Sequence, residues 1–138
     1  VRRTILATVA VAVALLVSLP AAANGRFPLS NQIVFSATDP NLIVARTSYG
    51  ILPSHDNGKN WGYICEDAIG ITPSILYDPA VALTRNNSLI VGLGLGLNVS
   101  PDVGCNWNCI GGPLAGQSIV DVAVRPDNPS SAVAVTNS

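Results

Sequence analysis

Residues 54–61 read SHDNGKNW and residues 100–107 read SPDVGCNW, so Ser-x-Asp-x-Gly-x-Asn-Trp is written twice, 46 residues apart. Each residue type suits a tight turn between two strands. An Asp carboxylate accepts hydrogen bonds from backbone amides two and three positions on, which folds the chain around it. A Gly two residues later supplies positive φ without steric cost. The Ser hydroxyl closes a second local bond, and the Trp returns to the sheet and lids the hairpin with a large apolar face. The intervening residues differ between copies, as solvent-facing positions do: His55, Asn57 and Lys59 in one, Pro101, Val103 and Cys105 in the other.

The duplication extends outward from the octets. At a constant shift of 46, Leu42-Ile43-Val44 falls on Ser88-Leu89-Ile90, Gly50 on Gly96 and Ile51 on Leu97. Thr38 falls on Thr84 and Asn41 on Asn87. Each copy reads as an apolar strand, a polar turn, a second apolar strand, a Gly-containing connection, a short strand and then the octet. Residues 119–138, IVDVAVRPDNPSSAVAVTNS, repeat the strand–turn–strand opening. By the same spacing the next octet is expected about six residues past Ser138.

A period in the forties made of short strands is the signature of a propeller blade. The expected fold is all-β: a partial β-propeller of about two four-stranded antiparallel blades plus a hairpin of a third. One such sheet cannot cover both of its apolar faces, and stacking against like sheets does so. Nothing after residue 26 carries the 3.6-residue periodicity of an amphipathic helix of ten or more residues.

The first 23 residues read differently. Arg2 and Arg3 precede an apolar run from Ile5 to Leu19, followed by Pro20 and Ala21-Ala22-Ala23. A positive start, an apolar middle and an Ala-x-Ala site predict a signal peptide cleaved after Ala23. The expectation is a secreted or periplasmic protein with no stable membrane anchor after cleavage, its propeller spanning residues 24–138. Without Arg2 and Arg3, five cationic side chains face eight acidic ones. No basic stripe remains, which argues against a nucleic-acid partner. Three cysteines, Cys65, Cys105 and Cys109, lie in the exported part, and an oxidising compartment permits a disulfide. Cys65 and Cys105 are the expected pair, because each lies beside one octet. One His and no Cys-x-x-Cys give no metal-ligand set, and no cofactor is expected.

Ser54, Asp56, Gly58 and Trp61, with Ser100, Asp102, Gly104 and Trp107, resemble Asp-box repeats, also called BNR repeats. These occur in the propellers of sialidases, sortilin-type receptors, xyloglucan-cleaving hydrolases and photosystem assembly factors. The resemblance covers residues 31–138. ICEDAIG (64–70), DPAVALT (78–84) and Gly104-Cys105-x-Trp107 are also similar to a group of exported bacterial Asp-box proteins that brings no assigned activity. In the Asp-box families the box is a hairpin element at the blade periphery, away from the catalytic centre. The resemblance therefore implies a structural role for all eight residues.

Glycoside cleavage requires a pair of carboxylates or a Tyr–Glu nucleophile. Asp56 and Asp102 belong to the boxes, Asp39 and Asp127 to DPN and DNP turns, Asp78 to a Tyr-Asp-Pro turn, and Asp121 to the approach to a strand. Glu66-Asp67, on a loop after the first box, is the pair left over. Arg46, Arg85 and Arg125 form no recognisable carboxylate-binding cluster. GLGLGLN (92–98) lacks the helix and Lys of a phosphate loop, and its glycines fit close strand packing instead. The function expected is that of an exported, non-enzymatic propeller fragment, a binding or scaffold module for an unknown protein or glycan ligand. It needs further blades or self-association to cover its end faces. The alternative is a fragment of a sialidase-like or other glycoside hydrolase whose catalytic residues lie on other blades.

Overall fold

The computed structural model describes residues 29–71 and 78–137. The expected leader, residues 1–23, lies outside the described residues. The fold is all-β, with nine strands in three open antiparallel sheets among those residues. Sheet A holds β1 (Ser30–Phe35), β2 (Ile43–Thr47) and β3 (Gly50–Ser54) in that order. Sheet B holds β4 (Ala80–Leu83), β5 (Leu89–Leu93), β6 (Gly96–Ser100) and β7 (Asn108–Ile110). Sheet C is the hairpin of β8 (Ser118–Val124) and β9 (Ala132–Asn137). The longest helix described is the four-residue α1 (Glu66–Ile69). No helix of the described residues is long and apolar enough to cross a membrane.

The repeat is visible in the register. Thr47 pairs with Gly50 and Ile43 with Ser54, just as Leu93 pairs with Gly96 and Leu89 with Ser100. The shift of 46 thus holds from β2 through the octet. It fails before Leu42. The first hairpins close through Ser36 N–H to Leu42 O, Thr84 N–H to Ser88 O and Arg125 N–H to Ser131 O, at 3.1, 3.0 and 2.9 Å. Their turns span residues 36–42, 84–88 and 125–131, so the middle one is two residues shorter. Phe35 therefore matches Leu83 and Val124, and Ser36 rather than Thr38 stands where Thr84 stands. Both longer hairpins carry a bulge at the same place, between Ser30 and Gln32 and between Ile119 and Asp121.

Sheet A has three strands where four were expected. At the site of its fourth strand Ile64 makes a single bridge with Ile51, the register at which Ile110 meets Leu97 in sheet B. Proline is the cause. Pro53 occupies the position of Val99, and Gly62 N–H donates to Pro53 O at 2.7 Å, but Pro53 has no N–H to return. The ladder stops after one bridge, and the chain turns into α1.

Alternation along each strand gives every sheet two apolar faces, one toward the preceding sheet (front) and one toward the following sheet (back). The back of sheet A, with Leu42, Val44 and Ile51, shares a core with the front of sheet B, with Val81, Leu83, Leu89 and Val91. The back of sheet B, with Ala80, Ala82, Ile90 and Leu97, shares a second core with Ile119 and Val122 of sheet C. Gly92 is required for this second contact: a Cβ there would stand 2.6 Å from Ile119 Cγ2. Polar bonds cross the same gaps. Gln32 Nε2 donates to Val81 O at 2.9 Å and Gln32 Oε1 accepts from Val81 N–H at 3.3 Å, while Arg85 N–H donates to Pro129 O at 2.8 Å.

Candidate functional site

The octets follow β3 and β6 at equivalent corners, and their hydrogen bonds are nearly the same. In the first, Ser54 Oγ donates to Asp56 Oδ1 at 2.9 Å and accepts from Gly58 N–H at 2.9 Å. Asp56 Oδ1 also accepts from Asn60 N–H at 2.8 Å, and Oδ2 accepts from the Asn60 side-chain amide at 2.6 Å. In the second, Ser100 Oγ donates to Asp102 Oδ1 at 2.9 Å and accepts from Gly104 N–H at 2.7 Å. Asp102 Oδ1 accepts from Asn106 N–H at 2.8 Å and from Cys105 N–H at 3.1 Å, and its Oδ2 holds the Asn106 side-chain amide. Each indole closes its corner, Trp61 Nε1–H onto Gly58 O at 3.0 Å and Trp107 Nε1–H onto Gly104 O at 3.2 Å. The chain bends through two successive left-handed residues, Asn57 (φ 59°) and Gly58 (φ 83°), or Val103 (φ 57°) and Gly104 (φ 119°).

These bonds act on the carboxylates. Backbone and side-chain donation from Asn60 holds the Asp56 carboxyl below its ordinary 3.8. Donation from the Asn106 side chain and then its backbone brings Asp102 down to about 2. Hydrogen bonds to the charged form favour that form, so both side chains are fixed acceptors.

Asn60 and Asn106 were not among the residues singled out from sequence, although the octet repeats them. The side chain of each takes the second carboxylate oxygen, and its N–H lies four positions beyond the Asp rather than two or three. Val103 also departs from expectation. It is buried in the core shared by sheets A and B, whereas its counterpart Asn57 is exposed, as are His55, Lys59, Pro101 and Cys105.

The expected Cys65–Cys105 disulfide is absent: Cys65, Cys105 and Cys109 are free, exposed thiols. Ile64 turns its side chain into the core beside Gly104, so Cys65, the next residue in the extended chain, faces away toward solvent. Glu66 and Asp67 lie in α1 rather than a loop, where Ile71 N–H returns to Glu66 O at 2.9 Å. Asp39 accepts from Asn41 N–H at 2.9 Å within its own turn, Asp127 pairs with Arg125, and Asp121 sits in β8 and accepts from Val122 N–H at 2.8 Å. No cluster of three His, Cys, Asp or Glu side chains suited to a metal is present among the described residues.

The two octets differ in what stands before them. Trp107 packs on the core between sheets A and B, but Trp61 is 43% exposed and lines a groove of about 380 Å3 with Ile33, Ala45, Thr47, Tyr49 and Leu52. At the end of sheet A opposite the octet, the Tyr49 and Tyr63 rings lie 6.2 Å apart, and Tyr63 Oη–H donates to Tyr49 O at 2.8 Å. Comparison with protein-family models, with curated proteins and with solved structures finds no match.

Proposed function

We propose that this is an exported Asp-box blade protein whose boxes are structural corners, and that it works as a binding or scaffold module for a protein or glycan ligand. The observation that carries this reading is the use made of Asp56 and Asp102. Their oxygens are taken by the Ser hydroxyl, by backbone N–H groups and by the Asn amide of the same turn. A general acid needs a raised pKa and a free oxygen aimed at substrate, and these carboxyls have lowered pKa values and engaged oxygens. Corners pinned in this way hold one end of sheets A and B while the hairpin tips at the other end are displayed. Tyr49 and Tyr63 form such a tip, an exposed aromatic surface suited to a sugar ring or a partner side chain.

Thermal unfolding of Asp56→Ala and Asp102→Ala tests the structural assignment. Both substitutions lower Tm, Asp102→Ala by more, because its corner lies on the core between sheets. A wild-type Tm in either variant, with loss of a hydrolytic activity toward aryl glycosides, would overturn the reading.

A further inference from the structure

Asn-Gly is the dipeptide in which an Asn side chain is most open to attack by the next backbone nitrogen, because Gly has no side chain to obstruct ring closure. The sequence holds two such pairs, Asn24-Gly25 and Asn57-Gly58. The first lies outside the described residues, and the second forms the bend of the first octet. The Asn57 side chain is exposed, but its main chain is held. Asn57 N–H donates to Asn41 O at 2.9 Å, Gly58 N–H donates to Ser54 Oγ at 2.9 Å, and Asn57 stands at φ 59°. Ring closure requires the Gly58 nitrogen to turn onto Asn57 Cγ. That motion rotates the peptide between them and withdraws its N–H from Ser54. The closed corner therefore keeps nucleophile and amide apart. The second corner has Val103 before Gly104 and carries no amide at this place. Asn60 and Asn106 precede Trp61 and Trp107, whose bulk hinders the same attack, and their amides are held by Asp56 and Asp102.

From this placement we infer that Asn57 is a deamidation site gated by its own corner, and that the product of the reaction holds the corner open. Hydroxide takes the Gly58 amide proton, and the nitrogen attacks Asn57 Cγ. The new C–N bond closes a succinimide ring, and the side-chain nitrogen leaves as ammonia. Water then opens the imide at either carbonyl. Cleavage of the bond to Cγ leaves aspartate. Cleavage of the bond to the main-chain carbonyl leaves isoaspartate, whose main chain runs through the former side chain and is one methylene longer. Either way an amide and a water become a carboxylate and an ammonium, with no change of oxidation state. The added methylene of isoaspartate draws Gly58 N–H off Ser54 Oγ and Gly58 O off the Trp61 indole. The added charge of either product stands beside the Asp56 carboxylate and repels it. Local opening thus precedes the reaction and is made permanent by it, so the first corner keeps a record of having opened. This gate depends on the octet geometry alone, and not on export or on a propeller.

Peptide mapping of the full chain after incubation at mildly alkaline pH tests this, with the aspartate and isoaspartate forms of the peptide carrying residue 57 separated by chromatography. Conversion at Asn24 falls in a different peptide and is counted apart. The samples are the folded wild type, the wild type held unfolded in denaturant, and Ser54→Ala, in which Gly58 N–H has lost its acceptor. The unfolded chain is expected to convert fastest and the folded wild type slowest. Ser54→Ala, with circular dichroism checking that the strands persist, converts Asn57 about 5–10-fold faster than the folded wild type. Asn57→Gly keeps the left-handed bend, gives no product at this position, and retains its tryptophan fluorescence through an incubation in which the converting wild type changes. Equal rates in the folded and unfolded wild type overturn the inference, and that comparison needs no variant to fold. So does a folded Ser54→Ala chain that converts no faster than the wild type, or conversion at Asn57 that leaves the tryptophan fluorescence unchanged.

Discussion

The corner at 54–61 and the corner at 100–107 are the same part in two surroundings. Ser, Asp, Gly, Asn and Trp make matching bonds in both, yet the second lies on a core shared with sheet A and the first faces an open groove. The hydrogen bonds are therefore set by the octet itself and do not require a neighbouring sheet. What the neighbour adds is burial. It converts residue four of the octet from an exposed Asn57 into a buried Val103, and the indole from an open lid into a packed one.

The sharpest way to break this comparison is at the glycines. Gly104→Ala puts a Cβ into Ile64 Cδ1 and forces φ +119° on a side chain, whereas at Gly58, with φ +83°, the nearest atom to a Cβ is Trp61 Cζ2 at 3.6 Å. Strain alone costs about 1 kcal/mol, and overpacking adds about 1–3 kcal/mol. Denaturant unfolding should show a loss of about 2–4 kcal/mol for Gly104→Ala and about 1 kcal/mol for Gly58→Ala. Equal losses would mean that the two corners are not distinguished by packing.

A smaller contrast is expected at the indoles. Trp107→Ala removes packing from the core between sheets and costs about 2 kcal/mol, while Trp61→Ala, at a half-open site, costs under about 1 kcal/mol. The same unfolding curves measure both.

Much of this was legible in the sequence because the corner is local. Ser54, Asp56, Gly58 and Trp61 bond within eight residues, and a local motif leaves its mark at fixed spacing. Asn60 and Asn106 were equally visible in the repeat, and their side-chain role was missed because Asx-turn logic looks two or three residues ahead rather than four. Val103 was not legible. A β-branched residue at positive φ is unfavourable by local rules, and only the presence of sheet A explains why an apolar side chain is placed there. The lost fourth strand of sheet A could have been read from Pro53, which sits in a strand position that must donate to a neighbour. The two-residue difference between the first hairpins was hidden by a chance identity, Thr38 with Thr84, which an ungapped comparison rewards and the hairpin closure does not support.

The central claim is that each corner is pinned by its carboxylate, and its most direct test is titration of the Asp56 and Asp102 side-chain carboxyls by NMR. The bonds they accept lower both folded pKa values relative to 3.8, Asp102 to about 2. A group depressed in the folded state contributes stability that is fully present above its unfolded pKa and is lost as pH falls through the folded one. Stability should therefore decline on acidification from about pH 4 toward pH 2, together with the corner resonances of Gly58 and Gly104. The account predicts that both carboxyls titrate below 3.8, with Asp102 lowest. Titration of either at or above the ordinary value, with the fold intact, would contradict it.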